Sequence, residues 1–309
     1  MTELDIVFLG TSAAIPTPDR GLSSILIIRG NEYLLFDAGE GVQKNFIRSN
    51  LSVNKKMRIF FTHSHGDHCI GVLGILQTLS LMGRNKDLDI YCESRIKDFI
   101  ISNVIILDFK LNFNITINII KEGIIVTEKE YQIRCCRSNH SVLSYAYCIE
   151  EYSRPGIFNI EILKKLNVPE GEMFKKLQNG EDIIYNGKKI KSTEVTGPRR
   201  KGRKIAISGD TRPSESLEKF FLNADILIYD STFSNKEYEK AVYTFHSTSA
   251  EAAEMALRSK SSMLILTHFS ARYSNVKELI EEAKHIFSNV YAAEDLMRIR
   301  IPLTNNKIS

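Results

Sequence analysis

The sequence predicts a mixed α/β protein in which sheets are layered against helices. Short runs rich in β-branched and aromatic residues alternate with helical patterns along all 309 residues. Two of the strand-like runs, "RIFFTH" and "MLILTH", also end in the same Thr-His pair. That echo would bring His63 and His268 to one rim of the sheets.

In order, apolar runs place strands at 4–9, 23–28, 33–37, 57–62, 89–92, 115–120 and 132–136. Later strands are expected at 204–208, 226–229, 263–267 and around 289–292. Helical patterns fit 71–82, 214–222, 249–259 and 276–286. The third of these opens like a capping box, with Ser247 or Thr248 ahead of the acid Glu251.

At 309 residues, with 43% hydrophobic and 25% charged side chains, the chain can bury a large core. Its apolar runs fall well short of the roughly 20 residues that cross a bilayer. Two acids precede the first apolar run where a secretory leader would carry positive charge, so a cytoplasmic protein is expected. The five cysteines are odd in number and contain no C-x-x-C pair, which argues against a disulfide framework or a thiolate metal knuckle.

Charge is uneven. From 153 to 204 there are thirteen basic and six acidic residues, a surplus of seven on a chain whose net charge is only +4. The same stretch is punctuated by Pro155-Gly156, Pro169, Gly180, Gly187 and Gly197-Pro198, so it reads as an excursion with little apolar substance of its own.

The chemistry concentrates in "FTHSHGDH". It holds His63, His65, Asp67 and His68, three of only seven histidines in the chain. Imidazole and carboxylate are the usual ligands of a metal that keeps a position open for water. His63 and His65 could share one ion, and Asp67 and His68, beyond the flexible Gly66, could reach a second. His140, Asp210 and His268 each follow an apolar run and are candidates to complete the set; a carboxylate such as Asp210 can bridge two ions.

These motifs resemble the metallo-β-lactamase superfamily, whose H-x-H-x-D-H cluster is matched by His63, His65, Asp67 and His68. Within it the chain is similar to ribonuclease Z, short form, through "FLGTSAAIPTPDR", "LLFDAGEGVQ", "SGDTRP", "HSTSAEAA", "THFSARY" and "AEDL". The resemblance runs from about residue 4 to 300. It implies an αββα four-layer sandwich, a single domain over 1–309, with a flexible arm inserted at 153–193.

The resemblance further implies two zinc ions, one held by His63, His65 and His140, the other by Asp67, His68 and His268, with Asp210 bridging. Asp67 would also take the proton of the attacking water. His246, supported by the nearby Glu251, would give a proton to the departing oxygen; a plain helix cap is the other reading of His246. Asp37 is open between a turn former and an acceptor for a ligand histidine. His285 is expected to have no role.

The implied substrate is precursor tRNA, cut to release its 3′ trailer. The basic arm, with Lys164, Lys165, Lys175 and Lys176, would grip the tRNA away from the cut. Arg199, Arg200 and Lys201 would face the acceptor stem or 3′ end. The family also implies a homodimer. The rival readings are another hydrolase of the same fold, such as a thioesterase, arylsulfatase or small phosphodiesterase, and an RNA-binding homologue without catalysis.

Overall fold

The computed structural model describes residues 2–303. Residues 2–149 and 204–302 form one compact unit, and residues 150–203 belong to another.

The larger unit is built on two seven-stranded mixed sheets. The first runs in the order Arg298–Arg300, Leu4–Gly10, Ser24–Arg29, Glu32–Phe36, Lys56–Phe60, Leu88–Cys92, Ile115–Ile119. The second runs Val290–Ala292, Leu264–Thr267, Ile226–Asp230, Lys204–Ile207, Tyr145–Glu151, Tyr131–Arg137, Gly123–Thr127. Alternate side chains of both sheets meet in one core, with Phe8, Ile27, Phe36 and Phe60 from the first against Ile133, Tyr147, Ile207 and Ile228 from the second. On the far side of the first sheet, Leu26, Leu35 and Ile59 pack against Phe46, Ile75, Leu76 and Ile100 of three helices. On the far side of the second, Ala206, Leu227 and Leu266 meet Leu217, Phe221, Met255 and Leu279. Burying a Leu, Ile or Phe side chain in this way contributes about 1.5–3 kcal/mol. The helix, sheet, sheet, helix layering implied by the resemblance is therefore present.

Helices Gly71–Leu81, Glu215–Phe221, Ser249–Arg258 and Lys277–Ile286 fall where their patterns predict. Thr248 is the N-cap of the third, accepting from the Glu251 amide while the Glu251 carboxylate accepts from the Thr248 amide. Helices Val42–Arg48 and Ser94–Ile106 and strands Gly123–Thr127, Tyr145–Glu151 and Arg298–Arg300 have no counterpart in the sequence reading. The helix "SRIKDFIISNVII" is rich in β-branched residues, which read as strand; burial of Ile96 and Ile100 overrides that preference. Among the described residues no helix is long and apolar enough to cross a membrane. All five cysteines are free thiols.

The parallel strands explain the position of the site. Glu32–Phe36 and Lys56–Phe60 run parallel in the first sheet; Lys204–Ile207, Ile226–Asp230 and Leu264–Thr267 run parallel in the second. Asp37, His63, Asp210, Asp230 and His268 all lie at or just past the carboxyl ends of these strands. In open α/β sheets ligands bind outside those ends.

The unit over 150–203 corrects one expectation. It carries a small apolar core of Leu163, Val168, Leu177, Ile183, Ile190 and Val195. Helices Ile160–Lys165 and Glu172–Gln178 and the hairpin Ile183–Tyr185/Lys188–Ile190 supply most of it. Asn186 and Gly187, both with positive φ (49° and 71°), make the two-residue turn of that hairpin. The apolar residues are spaced between lysines and prolines, so no single run betrays them in sequence.

Candidate metal centre

The tight turn after Phe60 is held by Asp37, itself left-handed at φ 59°. Asp37 Oδ1 accepts from the Thr62 amide at 2.7 Å, and Oδ2 accepts from Thr62 Oγ1 at 2.8 Å and from His68 Nδ1 at 2.7 Å. His63 Nδ1 in turn donates to Thr62 Oγ1 at 2.9 Å. Of the two readings open for Asp37, the acceptor reading is the one the geometry supports.

The second sheet repeats the arrangement. Asp230 Oδ1 accepts from Thr232 Oγ1 at 2.7 Å, and Thr232 Oγ1 accepts from His268 Nδ1 at 2.8 Å. The relay threonine is Thr232, not the Thr267 of the sequence echo, whose hydroxyl lies buried without a partner. His268 is also left-handed, at φ 62°. His140 Nδ1 donates to the Phe245 carbonyl at 2.9 Å.

These outer bonds settle which ring nitrogens carry protons. His63, His68, His140 and His268 all use Nδ1–H outward, so their Nε2 atoms face inward. His63 Nε2 is 3.0 Å from His65 Nδ1, which is 3.1 Å from His140 Nε2; His68 Nε2 is 3.2 Å from His268 Nε2. Asp210 Oδ2 stands between them, 3.2 Å from His68 Nε2, 3.3 Å from His268 Nε2 and 3.7 Å from His63 Nε2. Asp67 Oδ2 is 3.6 Å from His68 Nε2 and 3.5 Å from His268 Nε2, and accepts the Ala14 amide at 2.8 Å. Inward nitrogens and carboxylate oxygens this close need protons or a cation among them, and this donor set fits metal ions of the zinc type. His63, His65, His140 and Asp210 form one group able to hold an ion; Asp67, His68 and His268 form another.

Gly209, with φ 58°, lets the chain bend into Asp210 where any Cβ would strike the Thr62 side chain at 2.9 Å. The electrostatics follow from the packing. Burial works against charge on Asp210, yet His268, His68 and His63 hold its carboxyl well below the usual range. Asp67 is lowered in the same way, by His268 and His68 against the cost of burial. Burial, reinforced by His68, pushes His63 down, whereas Asp210 and Asp37 outweigh burial at His68 and raise it.

All seven expected ligands are thus brought together. The expected pairing of His246 with Glu251 is corrected. His246 Nδ1 lies 3.0 Å from Asp230 Oδ2, and its ring stacks on His268 with centroids 5.2 Å apart. The Glu251 carboxylate is occupied by the two terminal guanidinium nitrogens of Arg212 and by its own helix cap. It meets His246 only through Arg212, which also donates to the His246 carbonyl at 2.6 Å. Sequence proximity pointed to Glu251, but the helix aims that side chain at its own N-terminus. The signal for Asp230 was available, as an acid ending an apolar strand in the manner of Asp37. His285 is exposed, its Nδ1 donating to the Glu281 carbonyl at 2.7 Å. Lys164, Lys165, Lys175, Lys176 and Lys201 are exposed on the unit over 150–203; Arg199 donates to Ser153 and Arg200 to the Pro155 carbonyl.

Comparison with known proteins decides the family. Ribonuclease Z of Nitrosopumilus maritimus (strain SCM1) is 50% identical over 298 residues, covering 96% of this chain and 100% of that protein. The chain belongs to the ribonuclease Z family. Ribonuclease Z of Methanosarcina acetivorans is 39% identical over 97% of this chain and 98% of its own length. The crystal structure of human tRNase Z, short form, superposes with a TM-score of 0.71 at 27% identity, covering 96% of this chain and 99% of that one. YhfI from Bacillus subtilis, a metallo-β-lactamase fold protein, shares the fold with a TM-score of 0.68 at 20% identity, covering 97% of this chain and 100% of its own. The family model described as anti-Pycsar protein Apyc1 matches residues 4–152. That match includes the histidine cluster but stops short of Asp210, Asp230, His246 and His268, which the full-length ribonuclease Z relatives span.

Proposed function

We propose that this member of the ribonuclease Z family is a metal-dependent endoribonuclease that removes the 3′ trailer from precursor tRNA, using two zinc ions per subunit. The observation that carries the reading is the convergence of seven inward-facing histidine and aspartate ligands at one rim of the sheets in a full-length member of this family.

The first ion would be held by His63, His65 and His140, the second by Asp67, His68 and His268, with Asp210 between them. When bound, such ions supply an ionised water and neutralise charge on the phosphodiester. The chain's own groups supply the proton transfers. Asp67 accepts the proton of the attacking water, its carboxylate aimed by the Ala14 amide. His246 gives a proton to the departing 3′-oxygen as the P–O3′ bond breaks, leaving a 3′-hydroxyl on the tRNA. The Asp230 carboxylate occupies His246 Nδ1, so Nε2 is the nitrogen free for that transfer.

The exposed lysines Lys164, Lys165, Lys175 and Lys176, with Arg199, Arg200 and Lys201, would bind the RNA backbone. A homodimer is part of the same reading and is checked by light scattering on the eluting protein.

The test is to incubate purified protein with a 3′-extended precursor tRNA and with a small phosphodiester, before and after chelation. Cleavage at the base of the trailer, abolished by chelator and restored by zinc, is expected. Turnover of the small ester with the precursor left intact would sink the proposal.

A further inference from the structure

Two arginines in the unit over 150–203 are placed at a cost that the free protein does not recover. Arg154 and Arg200 face each other in an antiparallel bridge, each amide donating to the other's carbonyl at 2.8 Å. In a hydrogen-bonded pair of this kind the side chains leave on the same side with Cα atoms about 5.5 Å apart. Like charges directly opposite destabilise the ladder. The pairing cannot slip, because Gly156 passes so close to Gly197 that a Cβ would lie 1.9 Å from its carbonyl oxygen.

Neighbouring acid relieves the pair only in part: burial and then Arg200 outweigh Glu151 at the Arg154 guanidinium. Glu151 is engaged by Arg203, at 2.7 Å from Nε and 2.8 Å from Nη2. Arg200 spends Nε on the Pro155 carbonyl at 3.0 Å. Arg154 keeps both Nε and Nη2 out of water and without a hydrogen-bond partner. A buried donor left unsatisfied costs about 1–3 kcal/mol, more when charged. An oxyanion meeting both guanidinium groups would satisfy those donors and cancel the repulsion.

We propose that Arg154 and Arg200 form a clamp for one backbone phosphate of the RNA substrate, with the Arg154 guanidinium turning outward to meet it. The proposal rests on the reading of the chain as a precursor-tRNA nuclease; to the RNA contact which that reading gives Arg200 it adds Arg154 and a single phosphate shared by the two.

The experiment measures precursor-tRNA affinity over a salt series for the wild-type protein, Arg154→Gln, Arg200→Gln and the double variant, with thermal melts of each. Each single variant should weaken binding on the order of tenfold, the range of a charged hydrogen bond. The double variant should lose little more than the weaker-binding single, because both side chains serve one phosphate. The slope of log K against log salt should become shallower by about one. Melting temperatures should hold or rise, since a like-charge pair is removed.

An unchanged salt slope in the double variant, or lower melting temperatures with affinity intact, overturns the clamp. A thermal shift with inorganic phosphate that vanishes in the variants while the tRNA slope stays the same would assign a free anion and overturn the RNA assignment. Wild-type protein that binds no precursor tRNA at all fails at the earlier reading, before the variants are compared.

Discussion

His246 Nδ1 lies 3.0 Å from Asp230 Oδ2, and the other oxygen of the same carboxylate takes the Thr232 hydroxyl that holds His268. One buried acid therefore orients both the proposed proton donor and a proposed metal ligand. Asp230→Asn keeps the shape and removes the charge. It should lower kcat on precursor tRNA roughly 10–100-fold, the usual effect of losing such an outer partner. KM should move far less. Glu251→Gln keeps the capping box, which takes Glu or Gln, but removes the charge that Arg212 binds, and should instead act through stability, costing about 1.5–3 kcal/mol in urea unfolding. A kcat loss in Glu251→Gln equal to that of Asp230→Asn, at unaltered stability, would restore the pairing read from sequence.

The same contact sets a pH dependence. Burial alone would lower the His246 pKa, but Asp230 and then Asp210 outweigh it and push it up to about 9. A proton donor works only while protonated, so cleavage should be retained below that value and lost as pH rises through it. In Asp230→Asn the largest favourable partner loses its charge, and the alkaline limb should move to lower pH. Single-turnover rates across pH 6–10 measure this. Superimposable limbs in the two proteins would remove His246 from the proton-donor role.

Asp37 supports the opposite side of the centre, accepting from Thr62 twice and from His68 once. Asp37→Ala frees the His68 ring to rotate and releases the turn that aims His63. Zinc affinity should fall roughly 10–100-fold. Competition against a chromophoric chelator reads it, with circular dichroism as the control for folding. Affinity equal to that of the wild-type protein would mean that packing alone positions the two rings.

How much of this was legible in the sequence follows from what each residue depends on. The cluster of seven histidines and aspartates was, because these residues at strand ends carry their chemistry in their identity and spacing. Asp230 was legible only as an acid ending an apolar strand; its pairing with His246 was not, because that depends on where the loop at His246 returns in space, and the nearer acid in sequence is drawn away by its own helix cap. Thr62 and Thr232 are relays only through tautomers that the fold imposes. The β-branched residues of Ser94–Ile106 hide its helix until the first sheet offers Ile96 and Ile100 a surface to cover. The small core over 150–203 was hidden for another reason: its six members are scattered among charged residues and turns, and assemble only when the hairpin closes.

That small core leads to the last prediction. Leu177 is fully buried at its centre, and Ser192 Oγ donates to the Leu177 carbonyl at 2.7 Å. Leu177→Ala should cost about 2–5 kcal/mol, the range for a buried leucine. A cluster of six apolar side chains has little reserve against such a loss, whereas the larger unit keeps three separate cores of its own. Residues 150–203 should therefore open while the metal centre stays folded. Limited proteolysis should cut first within 150–203, and hydrogen exchange should rise there while strands Lys56–Phe60 and Leu264–Thr267 remain protected. If the lysines of that unit bind RNA, precursor-tRNA affinity should fall in step with the opening, and zinc affinity should not. A single cooperative melt that takes both units together would mean that the small core is not an independent folding element, and the loss of RNA binding could then not be assigned to it.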